Sequence, residues 1–291
     1  VPVNFSSYYK VIMTTNKSSR VLVNLLGIPS LLAIILAGDT FNNLPIFSVF
    51  ITVVLFLGAR EITTLSMGRG GQPVIPLLLF FLAILQIDRH PAVSWDIPIY
   101  LLIIGITLTG MIIEIFRSQD KPLLNISILV FSFVWLGLML GSLSNLRNLP
   151  GIGLKVTFAL FLSVWICDTS AFFFGNKFGE RKILPDVSPN KTWVGTIAGF
   201  ISSIIFMFIL YQYDFFSGMV STTDVIVIGI ITGGFGQLGD WTESLLKREA
   251  GLKDTSNFLR GHGGILDRFD SLTFAAPLTF IYCNYFIKIG Q

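Results

Sequence analysis

Residues 123–143, LLNISILVFSFVWLGLMLGSL, form an apolar stretch that contains no charged side chain. The hydrocarbon core of a bilayer is crossed by roughly 20 apolar residues in a helix. A helix also satisfies its own backbone hydrogen bonds, which lipid cannot do. The stretch therefore predicts a membrane-spanning helix.

The whole chain has the composition of a membrane protein. Of its 291 residues, 53% are hydrophobic and 13% are charged, and the mean hydropathy is +0.75. This balance excludes an ordinary soluble domain. We expect an all-α fold, namely a polytopic transmembrane helix bundle with about nine spans. The spans cover residues 21–37, 44–59, 73–87, 97–116, 123–143, 153–174, 193–211, 224–246 and 265–287.

The basic residues are distributed unevenly about these spans. Few of the 20 Lys and Arg residues lie on the side opposite the N-terminus, and these are Arg89, Arg147, Lys155 and Lys288. Because basic loops stay in the cytoplasm, the N-terminus is predicted to be cytoplasmic and the C-terminus external. Two of the predicted cytoplasmic loops, 176–192 and 247–264, are especially rich in basic residues.

The two halves of the chain differ in character. Residues 1–150 predict a transmembrane scaffold, whereas residues 151–291 contain both basic loops and predict a catalytic transmembrane region. Cys167 and Cys283 lie inside predicted spans, so neither a disulfide framework nor a cysteine metal site is expected. The formal charge of +3 reflects membrane topology, and no nucleic-acid partner is expected.

The stretch 239–270, GDWTESLLKREAGLKDTSNFLRGHGGILDRFD, carries the densest group of charged residues. In a continuous helix, Asp240, Ser244 and Lys247 share one face. The predicted topology brings Asp240 to the same depth as Asp267 and Asp270, near the cytoplasmic surface. Asp168, late in the sixth predicted span, lies at a similar depth.

Carboxylates at this depth require compensation, because a lone charge within a span costs about 2.5 to 3.5 kcal/mol on insertion scales. Mg²⁺ is a suitable cation, since it binds carboxylate oxygens together with substrate phosphates. We therefore expect Asp240, Asp267, Asp270 and Asp168 to be metal ligands. The alternative is that these acids only form ion pairs with Lys247, Arg248 and Arg268.

Two blocks of sequence resemble the phosphatidate cytidylyltransferases. The first has the spacing S-x-x-K-R, four residues, K-D, then H-G-G-x-x-D-R-x-D, and its members here are Ser244, Lys247, Arg248, Lys253, Asp254, His262, Gly263, Gly264, Asp267, Arg268 and Asp270. The second joins Asp168 to the loop 175–193, GNKFGERKILPDVSPNKTW, with Gly175, Gly179, Lys182, Ser188, Pro189, Lys191 and Thr192. Departures from the family pattern are Arg260, Val194 and Asn190.

The resemblance implies an enzyme that joins CTP to phosphatidic acid and yields CDP-diacylglycerol and pyrophosphate. It implies catalytic roles for Asp240, Lys247, Asp267 and Asp270, with Mg²⁺ as cofactor and room for a second cation. Implied substrate contacts are Lys182, Ser188, Lys191, Thr192, Ser244, Arg248, Lys253, His262, Gly263, Gly264 and Arg268. The implied partners are CTP, phosphatidic acid and the lipid bilayer, and a homo-oligomer is compatible with the sequence.

This chemistry does not require a nucleophilic side chain. A phosphomonoester with a second pKa near 6 is already largely ionised at neutral pH. The sequence has only two histidines, His90 and His262, which leaves little for a Ser-His or Cys-His relay. We expect an integral protein of a bacterial inner membrane, with the active site facing the cytoplasm and a lateral opening for lipid beside spans six, eight and nine.

Two other functions fit parts of the sequence. An ion-coupled transporter would also carry acids within spans, although near the midplane and beside broken helices. A related CTP-dependent lipid transferase with another acceptor would share the same motifs. Glu61 and Glu114, at the predicted cytoplasmic ends of scaffold spans, are interpreted as structural.

Overall fold

The structure is a computed structural model that describes residues 27–37, 45–117, 120–256 and 263–287. These residues are mainly helical, as expected from the apolar segments. The helices are α1 (Gly27–Ala37), α2 (Ile46–Met67), α3 (Ile75–Asp88), α4 (Ile99–Arg117), α5 (Pro122–Arg147), α6 (Gly153–Phe178), α7 (Trp193–Gln212), α8 (Thr222–Glu249) and α9 (Leu266–Tyr285).

Each predicted span overlaps one of these helices within the residues that the structure describes. Among the described residues, six helices are long and apolar enough to cross a membrane, namely α2, α4, α5, α6, α7 and α8. The apolar helices α1 and α3 are shorter, and α9 begins with the charged residues Asp267, Arg268 and Asp270. The protein is thus an integral membrane protein built of helices, while the expected number of nine spans is not confirmed.

A short β-hairpin is the one departure from an all-α fold among the described residues. Strand β1 (Lys182–Leu184) pairs in antiparallel fashion with β2 (Ser188–Thr192), and Lys182 lies opposite Thr192. Thr192 is the last residue of the hairpin, and its hydroxyl accepts a hydrogen bond from the backbone N–H of Gly195 at 3.2 Å. This contact caps the N-terminus of α7.

The C-terminal helices pack around α8. Helix α6 lies along α7, α7 packs on the first half of α8, and α9 packs against both the second half of α8 and α5. At Gly229, a Cβ atom would lie 2.8 Å from the Cα atom of Ile204 on α7. Small residues therefore let α7 and α8 approach closely, as is common between membrane helices.

Two helices contain π-helical turns, at Phe133–Leu140 in α5 and at Ile231–Phe235 in α8. Such turns displace backbone carbonyls from the regular helical pattern, and they are frequent at functional sites. The Gly137 carbonyl accepts a hydrogen bond from Arg89 at 2.7 Å. The Gly233 carbonyl accepts one from Gln237 at 2.6 Å. The second π-helical turn ends shortly before Asp240.

Glu61 of α2 anchors the beginning of α9. Its buried carboxylate accepts hydrogen bonds from the backbone N–H groups of Ile265 and Leu266, both at 2.8 Å. It also accepts from the hydroxyls of Thr255 at 2.9 Å and Ser256 at 2.6 Å. The interpretation of Glu61 as structural fits these contacts, because the side chain satisfies helix-end donors that would otherwise be buried without partners.

We predict that Glu61→Ala lowers the free energy of unfolding in detergent by about 3 kcal/mol, because buried donors lose a charged acceptor. Thermal unfolding of the purified protein measures the change. Glu180→Ala is the matched control, since Glu180 is exposed on the loop before the hairpin. Equal unfolding temperatures for the two variants would contradict the role assigned to Glu61.

Candidate active site

A cavity of about 330 Å³ lies between α6, the hairpin, α7 and α8. Most of its lining side chains are polar, and several of them belong to the second motif block. The lining residues are Asp168, Ala171, Phe172, Gly175, Asn176, Ser188, Asn190, Lys191, Thr192, Gly195, Thr196, Gln237 and Asp240. The expected proximity of Asp168 to Asp240 is thus observed in three dimensions.

Lys191, on the second strand of the hairpin, lines this cavity. The Lys191 ammonium forms an ion pair with Asp240 and lies 5.6 Å from the centre of the Trp241 ring. The Ser244 hydroxyl is a weaker neighbour of Asp240, at 3.5 Å. A basic group that lies beside an aromatic face and an acid in a polar cavity is well placed to contact a phosphate.

A second ion pair lies between α8 and α9. The buried Lys247 ammonium contacts Asp267 and lies 3.5 Å from Glu243. The other Asp267 oxygen accepts hydrogen bonds from the backbone N–H groups of Gly264 at 2.7 Å and Thr255 at 3.0 Å. Both oxygens of Asp267 are therefore engaged by the chain itself.

The tight turn before α9 depends on glycine. Gly263 adopts a φ angle of 77°, a left-handed conformation in which a side chain would be strained. The next residue, Gly264, is buried and donates its N–H group to Asp267. In this structure the two glycines thus shape the turn that holds Asp267.

Glu243 is a site residue that the sequence interpretation missed. Its side chain is fully buried, and neither carboxylate oxygen has a hydrogen-bond partner among the described residues. It lies one helical turn after Asp240 and one turn before Lys247, so the same face of α8 carries all three side chains. This helical spacing is the sequence signal that could have identified Glu243 as a site residue.

The acidic residues form a cluster that spans three helices. Asp168, Asp240, Glu243 and Asp270 are close enough to interact electrostatically. The Asp270 carboxylate also accepts a hydrogen bond from the adjacent Ser271 N–H at 2.6 Å. Together with Asp267, the acids outnumber Lys191 and Lys247, so the cluster carries excess negative charge when all of these groups are ionised.

The donor atoms of this cluster fit a hard cation such as Mg²⁺. Within the part of the chain that the structure describes, no three His, Cys, Asp or Glu side chains form a group that could hold a metal by themselves. Mg²⁺ is usually bound by one or two carboxylates, with water and substrate phosphates supplying the other ligands. The arrangement around Asp240 fits that incomplete kind of site, in which phosphate completes the coordination.

Several predicted substrate contacts lie outside the cavity. Arg248 donates to the backbone carbonyls of Val187 and Leu252, both at 3.1 Å, and thus connects the hairpin turn to the end of α8. Lys182, Lys253 and Arg268 are exposed and do not line the cavity. His262 and Arg260 lie outside the described residues. Of the other two departures from the family pattern, Asn190 lines the cavity and the exposed Val194 does not.

Comparison with known proteins gives a consistent result. The sequence model described as "Cytidylyltransferase family" matches residues 18–286. A phosphatidate cytidylyltransferase of Haemophilus influenzae is 36% identical over 246 residues, which cover 82% of this chain and 79% of the relative. One from Staphylococcus saprophyticus is 31% identical over 261 residues, which cover 89% and 96% respectively. The resemblance found in the motifs is confirmed, and the chain belongs to the cytidylyltransferase family.

Proposed function

We propose that this protein transfers the cytidylyl group of CTP to phosphatidic acid, forming CDP-diacylglycerol and pyrophosphate. The observation that carries the proposal is the cavity in which Lys191, Asp240 and Asp168 meet between the second halves of α6 and α8. The names of the relatives supply the substrates. One substrate is a membrane lipid and the other is a soluble nucleotide, which suits a polar cavity within a helical membrane protein.

In the proposed reaction, a phosphate oxygen of phosphatidic acid attacks the α-phosphorus of CTP. A new P–O bond forms, the bond between the α-phosphorus and its bridging oxygen breaks, and pyrophosphate leaves with that electron pair. Both reactants are anions, so their approach is opposed by charge repulsion. Binding and orientation by cationic groups are therefore the main demands on the protein.

The side chains that line the cavity can meet these demands. Lys191 would exchange its ion pair with Asp240 for contacts to phosphate, while the hydroxyls of Ser188 and Thr192 donate hydrogen bonds. Lys247 is held by Asp267 and Glu243. From its position between α8 and α9 it would stabilise the negative charge of the phosphates. We also propose Lys182, Ser244, Arg248, Lys253, His262, Gly263, Gly264 and Arg268 as substrate contacts, which the resemblance of the motifs supports.

We further propose that Mg²⁺ is the cofactor and that Asp240 is its principal protein ligand, with Asp168 and Asp270 beside it. When bound, the ion would neutralise charge on the nucleotide phosphates. Asp267 would contribute mainly by holding Lys247, because its oxygens are already engaged by Lys247, Gly264 and Thr255. A second cation is compatible with the excess of acids.

The proposed reaction accounts for the acid cluster better than transport does. The cavity is bounded by a hairpin of the loop 176–192 and lies beside the second halves of α6 and α8. An ion-coupled carrier needs a site that opens alternately to both sides. A transferase with a different lipid acceptor would use the same cavity. Assaying several lipid acceptors side by side distinguishes such an enzyme from one that uses phosphatidic acid.

We predict that purified protein with CTP, phosphatidic acid and Mg²⁺ yields CDP-diacylglycerol and pyrophosphate. Asp240→Asn should lower kcat about 100-fold or more, because it removes a charge that organises the phosphate site. Asp96→Asn, in an exposed loop, is the matched control and should turn over normally. Absence of CDP-lipid from the unaltered protein would refute the function, and full turnover by Asp240→Asn would refute its role.

We predict that Lys247→Met lowers the free energy of unfolding by about 3 kcal/mol, because Asp267 and Glu243 lose their buried counter-charge. The double variant Lys247→Met with Glu243→Gln should recover about 1 kcal/mol of that loss. Thermal unfolding in detergent measures both values. Arg181→Met, at an exposed position, is the control, and a Lys247→Met variant as stable as the control would contradict the buried ion pair.

For the orientation, we propose that the site faces the cytoplasm of a bacterial inner membrane, which the distribution of basic residues supports. Asp186→Cys in the exposed hairpin turn should react with a membrane-impermeant thiol reagent only after cells are permeabilised. Trp95→Cys, between α3 and α4 and 56% exposed, should react in intact cells. Cys167 and Cys283 are buried and give little background. The reverse labelling pattern would contradict the orientation.

A further inference from the structure

An apolar groove of about 410 Å³ adjoins the candidate active site on its lipid side. It runs between α7 and α8 and has almost no polar surface. Its lining residues are Thr196, Ile197, Phe200, Ile230, Gly234, Phe235, Gln237, Leu238 and Trp241. Thr196 and Gln237 also line the polar cavity, so the groove and the cavity share a wall.

The groove has the length and exposure expected for a lipid chain. From Ile230 to Trp241 it follows α8 for about 16 Å at the rise of a helix. That is about half of the ~30 Å hydrocarbon core, the depth of one leaflet. Ile197 and Leu238 on its two walls are 52% and 42% exposed. The groove is therefore open sideways to the bilayer.

The end of the groove nearest the cavity is polar. The Trp241 indole nitrogen is buried and has no hydrogen-bond partner among the described residues, although a buried indole N–H usually finds one. The Lys191 ammonium lies 5.6 Å from the centre of the same ring. This end thus places an aromatic ring beside a cation.

We propose that the groove is the subsite for an acyl chain of phosphatidic acid. The chain lies between α7 and α8, the glycerol esters lie near the Trp241 ring, and the phosphomonoester reaches Lys191 in the cavity. This order of groups along the groove, apolar chain, ester and phosphate, is the order in the lipid itself. The inference rests on the proposed function.

This placement differs from the lateral opening suggested by the sequence, which lay beside spans six, eight and nine. The described structure puts the groove between the seventh and eighth helices, where Gly234 leaves space beside the Phe200 ring. Another apolar cavity, of about 220 Å³, lies between α2, α5 and the end of α8. It shares no lining residue with the active-site cavity, so it lacks the continuity that supports the groove.

The test fills the groove with a larger side chain. For Ile197→Trp, we expect kcat/KM for dioleoyl phosphatidate to fall about tenfold while KM for CTP stays within about twofold, because lipid access alone is blocked. Turnover of dihexanoyl phosphatidate, whose chains are too short to occupy the full groove, should change less than about twofold. Ile205→Trp is the control, since Ile205 is also 52% exposed on α7 but does not line the groove.

Equal losses for the long and short lipids, or no loss for either, would overturn the subsite. A readout that does not depend on turnover separates this result from failure of the proposed function. A phosphatidate with a diazirine in its acyl chain should photolabel the α8 peptide around Leu238, and unlabelled phosphatidate should compete. Labelling elsewhere, or labelling that a diazirine phosphatidylcholine reproduces without competition, would also overturn the subsite, whether or not CDP-lipid is formed.

Discussion

Two carboxylates, Glu61 and Asp267, hold the chain where α9 begins. Glu61 accepts the first N–H groups of the helix, and Asp267 accepts those of Gly264 and Thr255 on the preceding turn. Backbone donors near a membrane interior are costly when unpaired. Because these acids satisfy the donors, α9 can lie tightly against α8, and Lys247 can be buried between Asp267 and Glu243.

The same arrangement divides the acids of the site into two roles. Asp267 and Glu61 are engaged with the backbone and with Lys247, so they act as parts of the framework. Asp168 and Asp240 line a cavity that a ligand can enter, and Asp240 forms an ion pair with a lysine from the hairpin. Under the proposed reaction, an arriving nucleotide would bring phosphates for Lys191, and Mg²⁺ would supply positive charge to Asp240. Substrate binding can therefore exchange one set of charge pairs for another without leaving either side chain uncompensated.

The sequence predicted the parts of the structure that depend on local pattern. Apolar segments located the helices, because each segment must cross or enter lipid. The sequence correctly predicted that Asp168 lies close to Asp240, because the depth of each residue in the membrane follows from its position along a helix of known length. The number of spans could not be predicted as well. Helices α1 and α3 are short and α9 begins with charged residues, so composition does not show whether these three helices cross the bilayer.

The contacts that no local pattern encodes were not predicted. Glu61 and Ile265 are separated by 204 positions, and nothing near Glu61 indicates which helix end it caps. The hairpin is short and its strands are largely polar, so it lacks the alternation that marks a strand. Glu243 had a readable spacing, yet its burial depends on α9, whose packing is a tertiary property.

Gln237 has a consequence for how the two substrates would meet. Its amide group donates to the Thr196 carbonyl at 3.1 Å and to the Gly233 carbonyl at 2.6 Å, and it lines both the polar cavity and the apolar groove together with Thr196. The wall that the two spaces share therefore joins α7 to the π-helical turn of α8. Under the proposed reaction, the nucleotide and the lipid would approach the same phosphorus atom from opposite faces of this wall, so neither molecule would have to leave the phase in which it is dissolved.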